Sequence, residues 1–279
     1  MNVTDYWIEE WQKHMAVFSI STAKSVTFNV TDDDVIDGKY YDIYGQWIGR
    51  SKNDFSDNVY AVPSAETVIF DSNNNIIKAP NKIPLNITHE EFTTISHIIF
   101  QESSHGDEED LWLAHTANNF AQYRHKSLYS LLMGKAYSCA PKKEPMPDEL
   151  NKKIHISARA AVINVLMWKS DPTGGAYFWD GTDFLAKGVA HNKFKEYKSI
   201  SIPKNIYSQY EKAQLDRYGR QVSYTIGNTK KTYNLPNEVF TNPQYWGADI
   251  FFYGENSDVK NKNLIAVGTK GRTIFWKVN

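Results

Sequence analysis

Cysteine is almost absent from this chain of 279 residues, because Cys139 is the only one. A single thiol excludes a disulfide within the chain and a cysteine-rich metal knuckle. No segment approaches the roughly 18 consecutive apolar residues of a membrane-spanning helix. The opening stretch, MNVTDYWIEEWQKH, lacks the basic start and the apolar run of a Sec signal peptide. We therefore expect a protein that is made in the cytoplasm without a Sec signal and that has no membrane span.

A strong excess of charge is also missing, since the net charge is -1 and the pI is about 6.7. This balance does not favour nucleic acid as a partner. Locally, residues 90–110 contain seven acidic residues and no lysine or arginine, whereas residues 187–231 contain ten basic residues against three acidic ones. Clusters of this kind are typical of solvated faces.

Aromatic and apolar residues are abundant instead. Hydrophobic residues make up 41% of the chain and aromatic residues 14%, including 17 Tyr and 8 Trp. This composition is sufficient for a folded core. Tyrosine and tryptophan rings stack on sugars and bases, but they also fill β-rich cores, which is the more common use.

The pattern along the chain predicts an α+β fold. Short β-branched and aromatic runs in residues 16–80 (AVFSIS, SVTFNV, NVYAV and TVIFD) alternate with turn residues. Helical periodicity follows, and β-type runs return after it. We therefore divide the chain into a β-rich N-terminal region (1–85), a helical core (86–200) and a β-rich C-terminal region packed on that core (201–279).

A helix is predicted to begin after Thr88, because Glu91 three residues later completes a capping box. It should end near the SSHG stretch, and a second helix should begin near Asp107. Two more helices are predicted over SLYSLLMGKAY and ISARAAVINVLMWK. The first helix carries an apolar stripe of Phe92, Ile95, Ile98 and Ile99.

Glu102 is the strongest candidate for a catalytic side chain. It stands at the C-terminal end of the first predicted helix, directly after ISHIIFQ. Neighbouring apolar side chains and the negative end of the helix dipole should both raise the pKa of its carboxyl. A glutamic acid that stays protonated near neutral pH can donate a proton to a leaving oxygen, as in sugar-bond cleavage. The alternative is an ordinary solvated glutamate at a helix end.

Two other kinds of site stay open from the residues alone. No pair among the histidines of the helical region has the spacing that places two metal ligands on one helix face, but distant ligands could still converge. Cys139 could act as a nucleophile with His155 or His191 as its base, although a proline-broken loop follows it rather than a helix. The histidines of the helical region are His89, His97, His105, His115 and His125.

The stretch DPTGGAYFWDG, from Asp171 to Gly181, predicts a tight turn followed by a short strand. The glycines would let a ligand approach the backbone closely. Alternation along the strand would put Tyr177 and Trp179 on one face and Phe178 on the other. These rings would both pack the turn on the core and line a groove.

The same stretch strongly resembles the DPTGGA-aromatic-F segment of the cell wall hydrolase family that includes the spore cortex-lytic (SleB-like) enzymes. In that family it follows a helix that ends in a glutamate, with a glycine and an acid close behind. The segment IFQESSHGDEEDLWLAHTANN has that layout, with one more residue between the glutamate and the glycine. The resemblance covers roughly residues 88–185. The matching positions are Glu102, Gly106, Asp107, Ala114 and Asn119.

This resemblance implies a lysozyme-like helical core that cuts the glycan strands of peptidoglycan, with Glu102 as the catalytic acid and no cofactor. In a lytic transglycosylase, one carboxyl acts first as acid and then as base while the sugar's own 6-hydroxyl attacks. Hydrolysis would need a second carboxylate. Asp107, Glu108 and Asp110 are candidates by their proximity in sequence. Glycan contacts are expected from His105, Asn119, Asp171, Thr173, Gly174, Gly175, Tyr177 and Trp179.

A second segment, YYDIYGQWIGRSKNDFSDNVYAV, resembles a short β-hairpin module found ahead of peptidoglycan-targeting toxins of type VI secretion. It implies secretion into the periplasm or wall of a target bacterium, a secretion carrier and an immunity protein. The basic stretch 187–231 could hold the carboxylates of wall peptides or the carrier. Two alternatives stay open, a stem-peptide amidase or endopeptidase with a histidine-bound metal or Cys139, and a non-catalytic glycan-binding module.

Overall fold

The computed structural model describes residues 37–52, 56–104, 106–134, 143–147, 152–242, 250–253 and 262–279. Helices and several separate sheets are both present, so the α+β prediction is confirmed. The runs AVFSIS and SVTFNV lie outside the described residues. The described helices are α1 (His89–Glu102), α2 (Glu108–Tyr123), α3 (Leu128–Leu132), α4 (Lys153–Leu166), α5 (Thr182–Lys187), α6 (Asn192–Glu196), α7 (Lys204–Tyr218) and α8 (Glu238–Thr241).

The strands form two larger sheets and two hairpins. One sheet has the order β2-β1-β3-β6, and the other has the order β11-β8-β12-β13-β7. Strands β4 and β5 form one hairpin, and β9 and β10 form the other. The strands are β1 (Lys39–Asp42), β2 (Trp47–Arg50), β3 (Asn58–Val62), β4 (Ile69–Phe70), β5 (Ile76–Lys78), β6 (Ile83–Thr88), β7 (Phe178–Asp180), β8 (Ser199–Ile202), β9 (Gln221–Ile226), β10 (Thr229–Asn234), β11 (Ile250–Tyr253), β12 (Asn263–Lys270) and β13 (Thr273–Val278).

The hairpin of β1 and β2 rests on the helical layer. Asp42 closes its turn, because its carboxylate accepts hydrogen bonds from the backbone N–H groups of Tyr44 (3.0 Å) and Gln46 (2.8 Å). Gly45 has a φ of 86°, and a Cβ at this position would collide with the backbone of α4. Glycine is therefore required here for the close approach of the hairpin to the helix.

Helices α1, α2 and α4 pack together and form the helical core. The capping box at the start of α1 is present, because the side chains of Thr88 and Glu91 each accept a hydrogen bond from the other's backbone. The apolar stripe of α1 is fully buried, as its periodicity predicts. Tyr41 and Val59 from the N-terminal sheet and Phe275 from β13 complete this core.

The five-stranded sheet separates the helical core from a second, C-terminal core. Along β13, Phe275 packs into the helical core, whereas Ile274 and Trp276 pack into the C-terminal core with Phe184 and Tyr210. This division follows from the alternation of side chains along a strand. The sheet therefore joins the two cores through its own strands.

Two described helices, α7 and the short α8, lie in the C-terminal region that the sequence predicts as β-rich. Helix α7 spans Lys204–Tyr218, and only Tyr207, Tyr210 and Gln214 are buried along it. The helix is polar on most of its surface, so its apolar periodicity is weak and the sequence pattern did not reveal it. In the described part of the chain, no helix is both long and apolar enough to cross a membrane.

Candidate active site

Glu102 is the last residue of α1, and its side chain is half-buried. Its Oε2 atom accepts a hydrogen bond of 3.3 Å from the indole Nε1 of Trp179. Burial raises the pKa of Glu102 above its ordinary value, the Trp179 bond opposes this rise, and the negative charge of Asp183 adds to it. The carboxyl therefore favours its protonated form more strongly than an exposed glutamate does.

The position of Glu102 follows from how α1 begins and ends. The capping box sets the start of the helix at His89, and the buried stripe orients it. At the other end, the backbone N–H of Ser103 donates to the carbonyl of Ile99 at 3.0 Å, after which the chain leaves the helix. Glu102 thus lies at the negative end of the helix dipole, at the edge of the helical core.

The turn at residues 171–176 is closed by its own polar groups. The carboxylate of Asp171 accepts hydrogen bonds from the backbone N–H of Thr173 (2.8 Å), the Thr173 hydroxyl (2.7 Å) and the backbone N–H of Gly175 (2.8 Å). Burial would raise the pKa of Asp171, but these bonds outweigh it and lower the pKa. Gly174 and Gly175 have φ values of 66° and 88°, the left-handed region that glycine adopts without strain.

Asn119 attaches this turn to helix α2. Its Nδ2 atom lies 3.0 Å from the Asp171 carboxylate, 3.3 Å from the Thr173 hydroxyl and 3.1 Å from the Ala176 carbonyl. The sequence predicts Asn119, Asp171 and Thr173 as glycan contacts. In the structure their polar groups bond one another, so the role that this geometry supports is to hold the turn in place.

The turn leads directly into β7, which lies at the edge of the five-stranded sheet. The backbone N–H of Tyr177 donates to the carbonyl of Trp276 at 2.8 Å, and Trp179 pairs with Phe275 in the antiparallel register. Phe178 points to the C-terminal core and Trp179 to the helical core. The ring of Tyr177 packs against Tyr123, with 5.4 Å between the centroids. The turn therefore sets the position of β7, the strand from which Trp179 contacts Glu102.

Asp183 is the second acid of the site, and the sequence reasoning missed it. It lies in the first turn of α5, four residues after Trp179. The His191 Nε2 atom is 3.2 Å from its carboxylate, and the Lys187 Nζ atom is 3.4 Å away. Burial would raise the pKa of Asp183, but these two neighbours outweigh it and lower the pKa to about 2. A signal existed in the sequence, because the acid stands two residues beyond the end of DPTGGAYFWDG.

Asp180 lies beside Asp183 and His191, and its side chain is largely buried. Its carboxylate is 2.8 Å from the Lys193 Nζ atom and accepts a hydrogen bond of 2.7 Å from the indole Nε1 of Trp276. The side chain is only 10% exposed. Asp180 thus anchors β7 to β13 and the segment after α5, where a buried carboxylate needs such partners.

Asp180, Asp183 and His191 are also the described residues that could hold a metal ion, since their ligand atoms lie within 4.8 Å of one another. The protein's own donors already bind these atoms. The His191 Nδ1 atom accepts the backbone N–H of Lys193 at 3.3 Å, so Nε2 carries the proton and donates to the carboxylate of Asp183 at 3.2 Å. This hydrogen-bonding pattern does not fit a metal ligand set.

The acids at the start of α2 have other partners. Asp107, predicted as a catalytic residue, forms an ion pair of 2.8 Å with Lys153, and Glu108 forms one of 2.7 Å with Lys270. Asp110 is almost fully buried, and burial raises its pKa to about 6, although the hydroxyls of Ser157 and Ser103 partly oppose the rise. The charge that acts on Glu102 is instead that of Asp183.

The remaining candidates of the sequence are dispersed. His105 and Cys139 lie outside the described residues. His115 is buried, and its Nε2 atom lies 2.8 Å from the side-chain Oδ1 atom of Asn164. His89 contacts the Tyr41 hydroxyl at 3.0 Å. Within the described residues, the candidate metal group contains His191 and none of the histidines between His89 and His125.

In comparisons with protein-family models, with curated proteins and with solved structures, nothing matches this chain. The function of the chain is therefore inferred from the geometry of these residues and from the resemblance of the two segments 88–185 and 40–62.

Proposed function

We propose that this protein cleaves the glycan strands of peptidoglycan, as a lytic transglycosylase or a muramidase, with Glu102 as the general acid. The observation that carries the proposal is the position of Glu102, a half-buried carboxyl at a helix end that accepts a hydrogen bond from the indole N–H of Trp179. Burial at this position raises the pKa of the carboxyl, as a general acid requires. In this proposal, α1, α2 and α4 correspond to a lysozyme-like core, and the 171–179 segment borders the glycan groove.

The reaction begins with a proton that the chain itself supplies. Glu102 donates its proton to the glycosidic oxygen, and the bond between that oxygen and the anomeric carbon breaks. The ionised Glu102 can then accept a proton from the attacking hydroxyl, and the bond from its Oε2 atom to the Trp179 N–H stabilises this ionised form. One residue thus serves as acid and then as base.

The resemblance of residues 40–62 extends the proposal to delivery. On that basis the protein acts in the wall or periplasm of a target bacterium, after transfer by a secretion carrier, and an immunity protein protects the producer. These parts of the proposal follow from the resemblance and are tested by co-purification with candidate secretion and immunity proteins.

The deciding experiment is mass spectrometry of purified peptidoglycan after digestion with the wild type and with Glu102→Gln. We expect cleaved glycan strands from the wild type and a loss of about 10²-fold to 10⁴-fold in rate for the variant, because Gln has no proton to give. Glu108→Gln is the matched control, since Glu108 is an exposed acid close in sequence that pairs with Lys270. It should cleave as fast as the wild type.

Other outcomes would support the alternatives. Released stem peptides would point to an amidase or endopeptidase; sensitivity to a chelator would then favour a metal, and loss of activity in Cys139→Ala would favour a thiol. Binding to peptidoglycan without any cleavage would favour a glycan-binding module. If Glu102→Gln cuts as well as the wild type, Glu102 is not the catalytic acid.

A further inference from the structure

Trp168 is a tryptophan in a backbone position that favours glycine. It follows α4 in a Schellman motif, in which its own backbone N–H donates to the carbonyl of Val165 at 3.0 Å. The backbone N–H of Lys169 donates to the carbonyl of Asn164 at 3.2 Å and completes the motif. The motif places Trp168 in the left-handed region, with a φ of 55°. A side chain raises the energy of this conformation, so glycine is the usual residue there.

The packing of the side chain does not explain the tryptophan either. Trp168 is 81% exposed, the highest value among the large apolar side chains of the described residues. A strained backbone that carries an exposed indole lowers the stability of the fold without a return in packing energy. The indole is therefore available for a contact outside the chain.

Two tyrosines flank the turn that begins at Asp171. Tyr177 directly follows this turn, and its ring centroid lies 5.4 Å from that of Tyr123. Tyr123 is the last residue of α2, one helical turn beyond the Asn119 that bonds the turn, and it is 52% exposed. The Cα atom of Trp168 lies within about 11 Å of that of Asp171, because three residues span no more than that. Three aromatic side chains thus surround one turn.

Basic side chains and open space lie next to these rings. The Lys262 Nζ atom is 3.0 Å from the Tyr123 hydroxyl and 5.4 Å from the centroid of the same ring. The Lys277 Nζ atom donates to the carbonyl of Gly174 at 3.3 Å. A Cβ at Gly174 would meet no atom within 4 Å, so the turn is open to a ligand at this residue.

Acidic side chains are scarce in the segments that carry the rings. Residues 118–133 and 164–177 contain a single acid, Asp171, and its carboxylate accepts three hydrogen bonds within the turn. The surface therefore suits a ligand that combines flat apolar faces with negative charge. The lysines and arginines of the same two segments are Arg124, Lys126 and Lys169.

We propose that Trp168, Tyr123 and Tyr177 form a second glycan-binding surface, which holds the wall polymer but takes no part in its cleavage. Sugar rings present apolar C–H faces that stack on aromatic rings, and peptidoglycan carries carboxylates on its muramic acid residues and stem peptides. Helix α2 has 16 residues and spans about 24 Å. Glu102 precedes the start of this helix, whereas Tyr123 stands at its end. The choice of this polymer rests on the proposed function.

The sparse positive charge favours a glycan over a single-stranded nucleic acid. Nucleic acid also stacks on aromatic rings, but it carries a phosphate at every residue and is bound by basic grooves that follow the backbone. Here the Nζ atoms of Lys262 and Lys277 already have hydrogen-bond partners in the protein. A glycan strand with a carboxylate on every second sugar needs fewer cations.

The test is co-sedimentation with purified sacculi, with all variants made in the Glu102→Gln background so that the strands stay intact. Trp168→Gly should weaken binding at least about tenfold, because it removes an exposed aromatic anchor. The same variant should unfold at a higher urea concentration than its parent, because glycine suits the left-handed position. A purely structural role of the indole predicts the opposite change in stability.

Tyr123→Ala tests the second ring, and it should also weaken binding at least about tenfold. Tyr218→Ala is the matched control. Tyr218 is likewise the exposed last residue of a helix, α7, and a cation lies over its ring, with the guanidinium of Arg272 at 5.7 Å from the centroid. The control should bind sacculi as tightly as the parent.

Unchanged binding by Trp168→Gly would overturn the inference, and so would equal losses in Tyr123→Ala and Tyr218→Ala. Tighter binding to single-stranded oligothymidylate than to sacculi would overturn it as well and would assign the surface to nucleic acid. The proposed function fails separately. Sacculi that the wild type binds through these rings but leaves uncut would remove the catalytic proposal and support this one. Cleavage by the wild type, with unchanged binding by Trp168→Gly, would do the reverse.

Discussion

At the scale of single residues, the two acids near Trp179 show how surroundings assign opposite states to the same chemical group. Glu102 loses water on burial, and its single N–H partner only partly opposes this effect, so its pKa rises. Asp183 is also partly buried, but a histidine and a lysine lie within 3.4 Å, so its pKa falls. The partners of each carboxyl, rather than burial alone, decide its ionisation.

This explanation predicts opposite shifts of the Glu102 pKa in two variants. The indole N–H stabilises the ionised form, so Trp179→Phe should raise the pKa of Glu102. The charge of Asp183 destabilises the ionised form, so Asp183→Asn should lower it. The measurement is a pH titration of the Glu102 side-chain ¹³C signal by NMR, which does not depend on activity.

Trp112→Phe is the control for this titration, because the half-buried Trp112 packs against Phe275 and carries no bond to Glu102 among the described contacts. It should leave the titration unchanged. Shifts in the same direction for Trp179→Phe and Asp183→Asn would show that a change in burial, not these two interactions, controls the carboxyl.

At the scale of elements, the 171–176 turn is a connector between a helix and a strand. Its internal bonds from Asp171 form without help from the rest of the chain, which is typical of Asx-type turns. The contact from Asn119 then attaches the turn to α2, and the turn leads into β7. The position of Trp179 therefore depends on a residue far from it in sequence.

Asn119→Ala tests this dependence. The variant removes an amide within hydrogen-bond distance of three acceptors, so we expect a loss of about 1–2 kcal/mol in the free energy of unfolding. If the proposed function holds, cleavage should slow by roughly tenfold, because Trp179 and Glu102 lose their alignment. Urea denaturation and the digestion assay measure the two effects.

The neighbouring Asn118→Ala is the control for this substitution, since it removes the same amide from the same helix without touching the three bonds. Its stability should stay within about 0.5 kcal/mol of the wild type. Equal losses in the two variants would mean that the bonds to the turn contribute nothing beyond helix propensity.

At the scale of the whole molecule, the site lies where the helical core meets the five-stranded sheet. The buried carboxylate of Glu109 connects the helical core to the five-stranded sheet. Its carboxylate accepts hydrogen bonds from the backbone N–H of Ser104 (2.8 Å) and the hydroxyl of Thr273 (2.6 Å). It thereby joins α2 to the segment after Glu102 and to β13, which pairs with β7.

Glu109→Ala should therefore be strongly destabilising. It leaves a half-buried N–H and a buried hydroxyl without this acceptor, so we expect a loss of about 2–4 kcal/mol in the free energy of unfolding. Glu108→Ala is the control, because its exposed ion pair with Lys270 should be worth less than about 1 kcal/mol. A denaturation series on both variants checks the difference, and similar losses would contradict the anchoring role.

The features that could be predicted from the sequence are those formed by residues close together along the chain. The capping box of Thr88 and Glu91 sets the start of α1, and the apolar stripe sets its buried face, so Glu102 could be placed at a helix end. The turn of Asp171 with its two glycines is local as well. Helix α7 has no strong periodicity and could not be recognised in this way.

The pKa shifts of Glu102 and Asp183 could not be predicted from local sequence patterns. The charge of Asp183 acts on Glu102 only because β7 pairs with β13, and that pairing depends on the packing of two cores on opposite faces of one sheet. Proximity in sequence pointed to Asp107, Glu108 and Asp110. In the structure Asp107 pairs with Lys153 and Glu108 pairs with Lys270, whereas Asp110 is buried in the protein interior. The local sequence pattern thus determined which side chains stand at the ends of helices and strands. Long-range strand pairing determined which of these side chains interact. The pKa of a carboxyl depends on its neighbours in space, so only the tertiary structure decided it.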